Sequence, residues 1–338
     1  MMVIEEQKSL QQEHTFGIQA STRYFIEINR DEDIVPVILS LTEDQKPIMI
    51  LGDGSNVLFT ENFPGTVIRL NTKGIAVISE NEEFIIVRVA GGEIWDEVVA
   101  YCVERGWGGV ENLSLIPGRI GASPIQNIGA YGVELKEVLE ELETVHLETG
   151  EKRTFSRDDC RFGYRESIFQ QTLRGQYFIT GVTLKLAKKP TLNLGYGSVK
   201  QELERSGITS PTIKDVREVV CRIRRSKLPD PRDAGNAGSF FRNPVIRTDQ
   251  FAGLKQQYPD IVSFADSNGV KLAAAWLIDQ CNWKGKRAGD AGVHPDQPLV
   301  LVNYGNATGV EILALASLIR QSVLVKFGIL LEPEVNIL

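Results

Sequence analysis

The chain has 338 residues, of which 42% are hydrophobic and 24% charged, a composition typical of a folded globular protein and not of a disordered one. Lys and Arg total 37 against 44 Asp and Glu, and this net charge of -7 lacks the basic excess of a non-specific nucleic-acid binder. No apolar stretch approaches the roughly 18 residues of a membrane helix, and the polar N-terminal residues fit neither a signal nor a transit peptide. We therefore expect a cytoplasmic protein whose partners include neither a nucleic acid nor a membrane.

Cysteine and histidine are too dispersed to indicate a metal site. The four cysteines, at 102, 160, 221 and 281, form no Cys-x-x-Cys pair and lie in apolar or helical patterns. The three histidines, at 14, 146 and 294, are equally scattered, so the sequence shows no ligand spacing for a metal. Buried, reduced thiols and no bound metal are predicted.

The first half of the chain alternates short β-rich runs with glycine-rich turns. A helix is predicted over residues 93–105, because Ile94, Val98 and Cys102 recur every four residues and Gly106 supplies a stop. Few crossover helices separate the strands and no Gly-x-Gly-x-x-Gly follows one, so an α+β fold is favoured over a doubly wound nucleotide fold. The predicted strands are VPVILS (35–40), PIMILG (47–52), TVIRL (66–70), AVISE (76–80), EFIIVRVA (83–90), LETVHLET (142–149) and YFITGVTLKL (177–186).

The second half begins with a polar segment, residues 186–215, which is predicted to be an inserted loop and a linker. A basic amphipathic helix is predicted over 215–231, ended by its two prolines. Further helices are predicted over 271–280 and 308–327, the second opening with a Thr-x-x-Glu capping box and closing at a glycine. The last ten residues, 329–338, return to strand character.

Two glycine-rich segments are candidate phosphate-binding loops. In the first, GDGSN (52–56), the glycines permit positive φ and close approach of backbone N–H groups to an anion, while serine and asparagine add side-chain donors. A plain β-turn is the alternative there. The second, within 111–133, leaves the backbone bare through Gly118, Gly121, Ala122, Ser123, Gly129 and Ala130. Its amides could wrap the diphosphate of a dinucleotide such as FAD, and a loop this long is more often functional than structural.

Three further residues are candidates for chemistry, each with a plainer alternative. Arg165 could bind a carboxylate bidentately, or it could stack on Tyr164 at the surface. Ser239 follows a glycine and precedes two phenylalanines, so its hydroxyl could project from a tight turn into an apolar-walled cavity, or simply cap a turn. Glu334 could belong to a solvated tail.

Taken together, these segments resemble the UDP-N-acetylenolpyruvoylglucosamine reductase family over nearly the whole chain. GDGSN, PGRIGASPIQNIGAYG, FGYRES, GNAGSFFRNP and EPEV occur in the family's order with compatible gaps. The resemblance implies an α+β flavin-binding fold of the vanillyl-alcohol-oxidase (PCMH) type. It places FAD-binding subdomains at 1–70 and 71–215 and a C-terminal α+β substrate-binding domain at 216–338.

The resemblance also implies an activity. An oxidoreductase of this family reduces UDP-N-acetyl-3-O-(1-carboxyvinyl)-glucosamine to UDP-N-acetylmuramate for peptidoglycan synthesis. FAD is its cofactor and NADPH its co-substrate, and the expected enzyme is a cytoplasmic bacterial monomer. GDGSN contains no histidine, so the FAD is expected to be non-covalent.

The positions of these motifs imply which residues of this chain correspond to the family's site residues. Ser239 corresponds to the proton donor, and Arg165 and Glu334 to the pair that polarises the enolpyruvyl group. The predicted UDP contacts are Tyr196, Lys227, Asn243 and Gln297, and the predicted FAD contacts are Gly52, Gly54, Ser55, Asn56, Pro117, Gly118, Ile120, Gly121, Ala122, Ser123, Asn127, Gly129, Ala130 and Tyr131. Two residues depart from the expected pattern. His14 stands where an asparagine is expected, and Arg119 is a charged residue in an otherwise neutral loop.

Two rival functions remain open on the sequence. An FAD-dependent alcohol or hydroxy-acid oxidase of the same fold would keep both glycine loops without needing Ser239, Glu334 and Lys227. A catalytically silent nucleotide-binding protein would not need Arg165, Ser239 and Glu334 together. Because all of these residues are present, the reductase is favoured.

Overall fold

The computed structural model describes residues 3–266 and 268–338, which fold into two compact units. Unit 1 comprises residues 3–8, 22–53 and 64–226, and unit 2 comprises 9–21, 54–63 and 227–338. Among the helices of the described residues, none is long and apolar enough to cross a membrane. The helices are α1 (Asp31–Ser40), α2 (Trp95–Glu104), α3 (Gly197–Arg205), α4 (Ile213–Lys227), α5 (Thr248–Gln257), α6 (Ala274–Gln280) and α7 (Gly309–Phe327).

The strands are mostly short. They are β1 (Ile4–Ser9), β2 (Ser21–Ile28), β3 (Ile48–Leu51), β4 (Val57–Leu58), β5 (Phe63–Leu70), β6 (Ile75–Glu80), β7 (Phe84–Ala90), β8 (Gly129–Ala130), β9 (Val133–Glu134), β10 (Leu139–His146), β11 (Lys152–Ser156), β12 (Tyr177–Ala187), β13 (Gly235–Ser239), β14 (Val245–Ile246), β15 (Ser263–Asp266), β16 (Gly269–Leu272), β17 (Arg287–Ala288), β18 (Ala291–Val293), β19 (Val300–Asn303) and β20 (Asn336–Ile337).

Unit 1 contains two larger sheets. The first has the order β1-β2-β5-β3, in which β3 and β5 run parallel. The second has the order β11-β10-β12-β7-β6 with antiparallel neighbours throughout. Its central strand, β12, is buried along nearly its whole length, as expected for an apolar run that is covered on both faces. The strands predicted at β3, β5, β6, β7, β10 and β12 are all confirmed, as is α2.

The strand predicted at residues 35–40 is wrong, because this segment belongs to α1. Ile34, Val37 and Ile38 are buried on one face of the helix, at the i, i+3, i+4 spacing of the α-helical period. Acidic residues at 31–33 occupy the first turn, where they stabilise the positive end of the helix dipole. The β-branched run suggested a strand, but its spacing already matched a helix.

A helix also interrupts the segment predicted as loop and linker at residues 186–215. Val199 and Leu203 of α3 pack against Val216 and Val220 of α4. The apolar side of α3 is narrow and the helix is otherwise polar, so it gave little periodic signal. Helix α4 ends at Lys227 ahead of the prolines, as predicted.

The core of unit 2 forms around α7, whose Ile312, Leu315 and Ile319 are buried among residues of the sheet β13-β19-β18-β17 and of α6. The predicted ends of α7 are confirmed, with a Thr308–Glu311 capping box and a left-handed glycine after the last turn. Helix α6 begins three residues later than predicted, because residues 271–272 complete β16, which pairs with β15.

The reactivity of the cysteine thiols depends on how deeply they are buried. All four cysteines are free thiols, and Cys102, Cys160 and Cys221 are buried as predicted, whereas Cys281 is only half-buried. Burial raises the pKa of both Cys102 and Cys160 to about 12, so these thiols are inert at neutral pH. Within the described ranges, no three His, Cys, Asp or Glu side chains are grouped to hold a metal ion.

His14 fills a buried position in unit 2 where the family resemblance led us to expect an asparagine. Its Nε2 donates to the Ile18 carbonyl at 3.0 Å, and its ring meets Phe59 edge-on at 5.1 Å. The Nδ1 atom is buried without a hydrogen-bond partner. Burial therefore lowers the pKa of His14 below its usual 6.5.

This burial predicts a pH-dependent stability. Above pH 6.5 His14 is neutral in both states, but as the pH falls below 6.5 the unfolded chain takes up a proton that the folded chain resists. The free energy of unfolding should therefore drop between about pH 7.5 and about pH 5.5. His14→Asn should show a smaller drop in urea unfolding. Equal drops in the two proteins would contradict a buried neutral His14.

Candidate active site

Ser239 lies at the end of a strand and not in the tight turn that was predicted. It closes β13 opposite Val300 of β19, beside an irregularity in the strand register. Gly238, immediately before it, has a φ of +69°, which glycine adopts without strain. The next two residues, Phe240 and Phe241, are fully buried with ring centroids 5.1 Å apart. These rings anchor the strand end, while Ser239 itself remains half-buried.

The C-terminal tail is part of the folded site of unit 2. The Glu334 N–H donates to the Phe240 carbonyl at 2.8 Å, and the Arg242 N–H donates to the Glu332 carbonyl at 2.9 Å. Strand β20 then pairs in parallel with β4. A solvated tail is therefore excluded, and the backbone of Glu334 is fixed beside the residue that follows Ser239.

The GDGSN segment is tied to this tail. The Asn56 side-chain amide donates to the Glu334 carbonyl at 3.2 Å. The Asn56 carbonyl accepts from the backbone N–H of Asn336 at 3.1 Å. Gly54 has the predicted positive φ of +58°, and a Cβ there would stand 2.4 Å from the Cβ of His14. Asn56 therefore positions the tail, and Gly54 is required both for its φ and for close packing.

The backbone N–H groups of the second glycine loop form more hydrogen bonds within the protein than the composition of the loop suggested. The N–H groups of Ile120 and Gly121 donate to two carbonyls of the β7–α2 connection at 2.9 and 2.8 Å. The next two N–H groups, of Ala122 and Ser123, donate to carbonyls within the loop. A Cβ at Gly121 would lie 2.7 Å from the Ile179 carbonyl oxygen of β12. These four amides do not form the open cradle that was predicted, because their hydrogen bonds are already made within the fold.

Arg165 contacts Tyr164, as in the second alternative left open by the sequence, and it also contacts the glycine loop; carboxylate binding by Arg165 stays a prediction. Its guanidinium lies 5.5 Å from the Tyr164 ring, and its Nη2 also donates to the Gly129 carbonyl. Nη1 donates to the Asn127 carbonyl at 3.4 Å. The residue is half-buried, with a left-handed φ of +56° that orients the side chain toward the glycine loop.

The Asn127 side chain stabilises the loop that Arg165 contacts. Its Nδ2 donates to Glu134 Oε2 at 3.1 Å and to the Gly163 carbonyl at 3.0 Å, and its Oδ1 accepts from the Lys136 N–H at 3.0 Å. Its side chain is thus fully used inside the protein. Its side chain therefore supports the loop that holds Arg165, and the predicted contact of Asn127 with the cofactor stays a prediction.

One charged residue beside the glycine loop was missed by the sequence reasoning. Arg224 of α4 donates from Nε to the Leu115 carbonyl at 3.2 Å, and its charge lies near the Tyr131 hydroxyl. Burial lowers its pKa, although a guanidinium stays protonated at neutral pH. The sequence did contain a signal, since Arg224 comes four residues after the buried Val220 and so lies on the same face of the helix.

The start of the loop is fixed by an ion pair between Asp96 and Arg217. Asp96 of α2 accepts the Leu115 N–H at 2.6 Å and both terminal nitrogens of Arg217 at 2.6 and 3.0 Å. Burial opposes ionisation of Asp96, but these hydrogen bonds outweigh it and lower the pKa of its carboxyl. Leu115 therefore keeps a left-handed φ of +56°.

The four residues predicted to contact UDP lie in different settings. Tyr196 of unit 1 precedes α3, is 43% exposed and meets the Tyr131 ring edge-on at 5.3 Å. In unit 2, Lys227 is exposed, and Asn243 accepts the Ala274 N–H on its Oδ1 at 2.9 Å. Gln297 is half-buried in the turn between β18 and β19.

The two glycine segments fit a dinucleotide by their charge. Segments 52–56 and 117–131 contain one acidic and one basic residue, Asp53 and Arg119, and these form an ion pair at 2.6 Å. A Cβ at Gly52 would lie 3.5 Å from the Ala122 Cβ, so Gly52 and the second segment are in close contact. Small residues with no net charge suit the diphosphate of FAD, because they let it approach the backbone without repulsion.

Comparison with known proteins agrees with this geometry. Residues 22–156 match the FAD binding domain family. Residues 230–338 match the UDP-N-acetylenolpyruvoylglucosamine reductase C-terminal domain. A solved UDP-N-acetylenolpyruvylglucosamine reductase from Thermus caldophilus superposes with a TM-score of 0.70 at 24% identity, covering 100% of this chain and 99% of the other. The predicted α+β flavin-binding fold with a C-terminal substrate-binding domain is confirmed.

Full-length relatives are closer in sequence. The UDP-N-acetylenolpyruvoylglucosamine reductase of Pseudomonas aeruginosa is 45% identical over 335 residues, covering 99% of this chain and 98% of the relative. That of Flavobacterium johnsoniae is 43% identical over 339 residues and covers 100% of both chains. At this identity and coverage, the chain belongs to the UDP-N-acetylenolpyruvoylglucosamine reductase family.

Proposed function

We propose that this chain catalyses the NADPH-dependent reduction of UDP-N-acetyl-3-O-(1-carboxyvinyl)-glucosamine to UDP-N-acetylmuramate, with non-covalent FAD as its cofactor. Family membership supports the reaction. The observation that carries the proposal is the pairing of the tail with residues 240–242, which fixes Glu334 beside the strand of Ser239. An alcohol oxidase or a silent nucleotide-binding protein would not need a Ser239 hydroxyl and a Glu334 carboxylate on these paired segments. From the family resemblance we further propose a cytoplasmic monomer.

The chemistry that bound FAD would supply is hydride transfer, from NADPH to the β carbon of the substrate. The residues proposed to contact FAD directly belong to the two glycine segments, whose two charged side chains, Asp53 and Arg119, pair with each other. The proposed contacts are Gly52, Gly54, Ser55, Pro117, Gly118, Ala130 and Tyr131. Ile120, Gly121, Ala122, Ser123, Asn56 and Gly129 shape the two loops through the contacts described above.

Arg165 is proposed to bind the substrate carboxylate. Adding hydride to the β carbon of the enolpyruvyl group moves the double-bond electrons toward that carboxylate, so negative charge accumulates there. A fixed guanidinium stabilises this charge, and such preorganised stabilisation is often the largest catalytic contribution. Arg224 is close enough to Arg165 for the two cations to repel, so an anion near them would be favoured.

Ser239 is proposed to complete the reduction. Its Oγ–H gives a proton to the α carbon, the new C–H bond forms there, and solvent returns a proton to the serine oxygen. Glu334 is proposed to orient the enolpyruvyl group together with Arg165. Serine is a weak acid, so nearby cations must favour its alkoxide as the proton leaves.

The UDP moiety is proposed to contact four residues. The Lys227 ammonium and the Tyr196 hydroxyl can bind phosphate oxygens. Asn243 uses Oδ1 to hold the first N–H of α6, which leaves its Nδ2 as the donor to the substrate. Gln297 can offer its side-chain amide from the β18–β19 turn.

The cofactor proposal predicts a yellow purified protein from which mild acid releases FAD into the supernatant, since GDGSN has no histidine for a covalent link. Anaerobic NADPH should bleach the flavin, and the enolpyruvyl substrate should then restore its absorbance. Colourless protein that cannot be reconstituted would contradict FAD binding. Bleached flavin that responds to oxygen but not to the enolpyruvyl substrate would favour the oxidase.

Ser239→Ala should separate the two half-reactions. Flavin reduction by NADPH needs no protein acid and should stay within a few-fold of the wild-type rate. Reoxidation by substrate should slow at least about 100-fold, because a positioned general acid contributes roughly 10²–10⁴-fold. Ser239→Cys, which retains an acidic proton, should recover part of this loss. Stopped-flow absorbance measures both steps, and equal slowing of both would make Ser239 a structural residue.

Glu334→Gln tests the tail without removing it. The backbone hydrogen bonds to Phe240 persist in this variant, so the free energy of unfolding should change by less than about 0.5 kcal/mol while substrate turnover falls. Removing residues 332–338 should instead cost about 2–4 kcal/mol, because it exposes buried contacts of Val335 and breaks the pairing with β4. Glu332→Gln, on an exposed neighbour, is the matched control. Wild-type turnover in Glu334→Gln would remove this carboxylate from the reaction.

A further inference from the structure

Arg119 is the only charged residue in the segment 117–131, and two of its three guanidinium nitrogens form hydrogen bonds within the protein. Nε donates to Asp53 Oδ1 at 2.6 Å. Nη1 lies between three oxygens, the Leu70 carbonyl at 3.1 Å, Asn71 Oδ1 at 2.9 Å and the Gly92 carbonyl at 2.9 Å. Only 14% of the Arg119 side chain is exposed.

The backbone fixes the direction of this side chain. Arg119 forms an antiparallel bridge with Ile94, and the hydrogen bonds of its two neighbours continue the pairing. The Trp95 N–H donates to the Gly118 carbonyl at 2.9 Å, and the Ile120 N–H donates to the Glu93 carbonyl at 2.9 Å. The guanidinium therefore has a rigid base from which to reach Asp53.

We propose that the Arg119–Asp53 ion pair is a clasp that positions the FAD site, a role that rests on the proposed function. The pair joins the GDGSN turn after β3 to the second glycine loop. It also neutralises the one carboxylate that either segment carries. Without Arg119, the Asp53 charge would stand in a loop proposed to receive a diphosphate, and like charges at short range repel.

Arginine is suited to this role because of its shape. The planar guanidinium group can direct Nε to a carboxylate while a terminal nitrogen donates to several carbonyls. A lysine ammonium, in contrast, is a single point charge. Both residues act through the loops and not on the reacting atoms, so they are positioning residues.

The test measures the Kd of FAD for deflavinated protein by flavin fluorescence. Arg119→Met should raise this Kd at least about tenfold, because it leaves Asp53 unpaired and frees the two segments from each other. Asp53→Asn should raise it less, since no uncompensated negative charge remains. The double variant should bind FAD more tightly than Arg119→Met alone, and saturating FAD should return the kcat of Arg119→Met to within a few-fold of wild type.

A matched control comes from the same unit. Arg88→Met breaks a comparable pair, in which Arg88 Nη2 lies 2.7 Å from Glu143 Oε2, and should lower the free energy of unfolding while leaving the Kd of FAD unchanged. Arg119→Lys, which keeps the charge but not the planar guanidinium group, should give an intermediate Kd and serves if Arg119→Met does not fold.

Three outcomes would overturn the clasp. They are a wild-type Kd in Arg119→Met, no gain from adding Asp53→Asn to it, or an equal loss of FAD affinity in Arg88→Met. A wild-type chain that binds no FAD would overturn the proposed function together with the clasp, so the two failures are distinguishable.

Discussion

The pairing of the second glycine loop with the β7–α2 connection is the constraint on which the arrangement of unit 1 depends. Backbone hydrogen bonds between residues 118–121 and 91–95 fix the loop's backbone, and Gly121 is needed because a Cβ there would lie 2.7 Å from a β12 carbonyl oxygen. From this fixed backbone Arg119 reaches Asp53, and Gly129 accepts a hydrogen bond from Arg165. The glycines therefore allow close packing of the backbone. The same lack of side chains leaves the surface that is proposed to bind FAD.

In unit 2 the corresponding constraint is the C-terminal tail, which pairs with other segments of the unit. The tail pairs with residues 240–242 and with β4, so Glu334 and Ser239 are held on adjacent segments although they are far apart in sequence. Buried phenylalanines at 240 and 241 anchor one side, and Asn56 holds the other. Backbone hydrogen bonds and buried rings both resist displacement, which suits the proposed role of Ser239 as an accurately positioned acid.

Local patterns in the sequence predicted much of the secondary structure. The ends of α7 were predictable because a capping box and a C-terminal glycine act within one turn. The strands of the central sheet were predictable because continuous apolar runs indicate burial on both faces. Errors arose where two local signals competed, as at residues 35–40, where β-branched residues occupy a helical spacing.

The sequence by itself determined the family and which residues are proposed to carry chemistry, because motifs in a fixed order identify a family without any knowledge of distances. Only the tertiary structure decided what several of those residues do. The Asn127 side chain supports the loop that holds Arg165, and Arg119 forms an ion pair with Asp53. Arg224, which the sequence analysis did not single out, donates to the Leu115 carbonyl. The physical reason is that a side chain's role depends on which donors and acceptors surround it, and those come from segments that are distant along the chain.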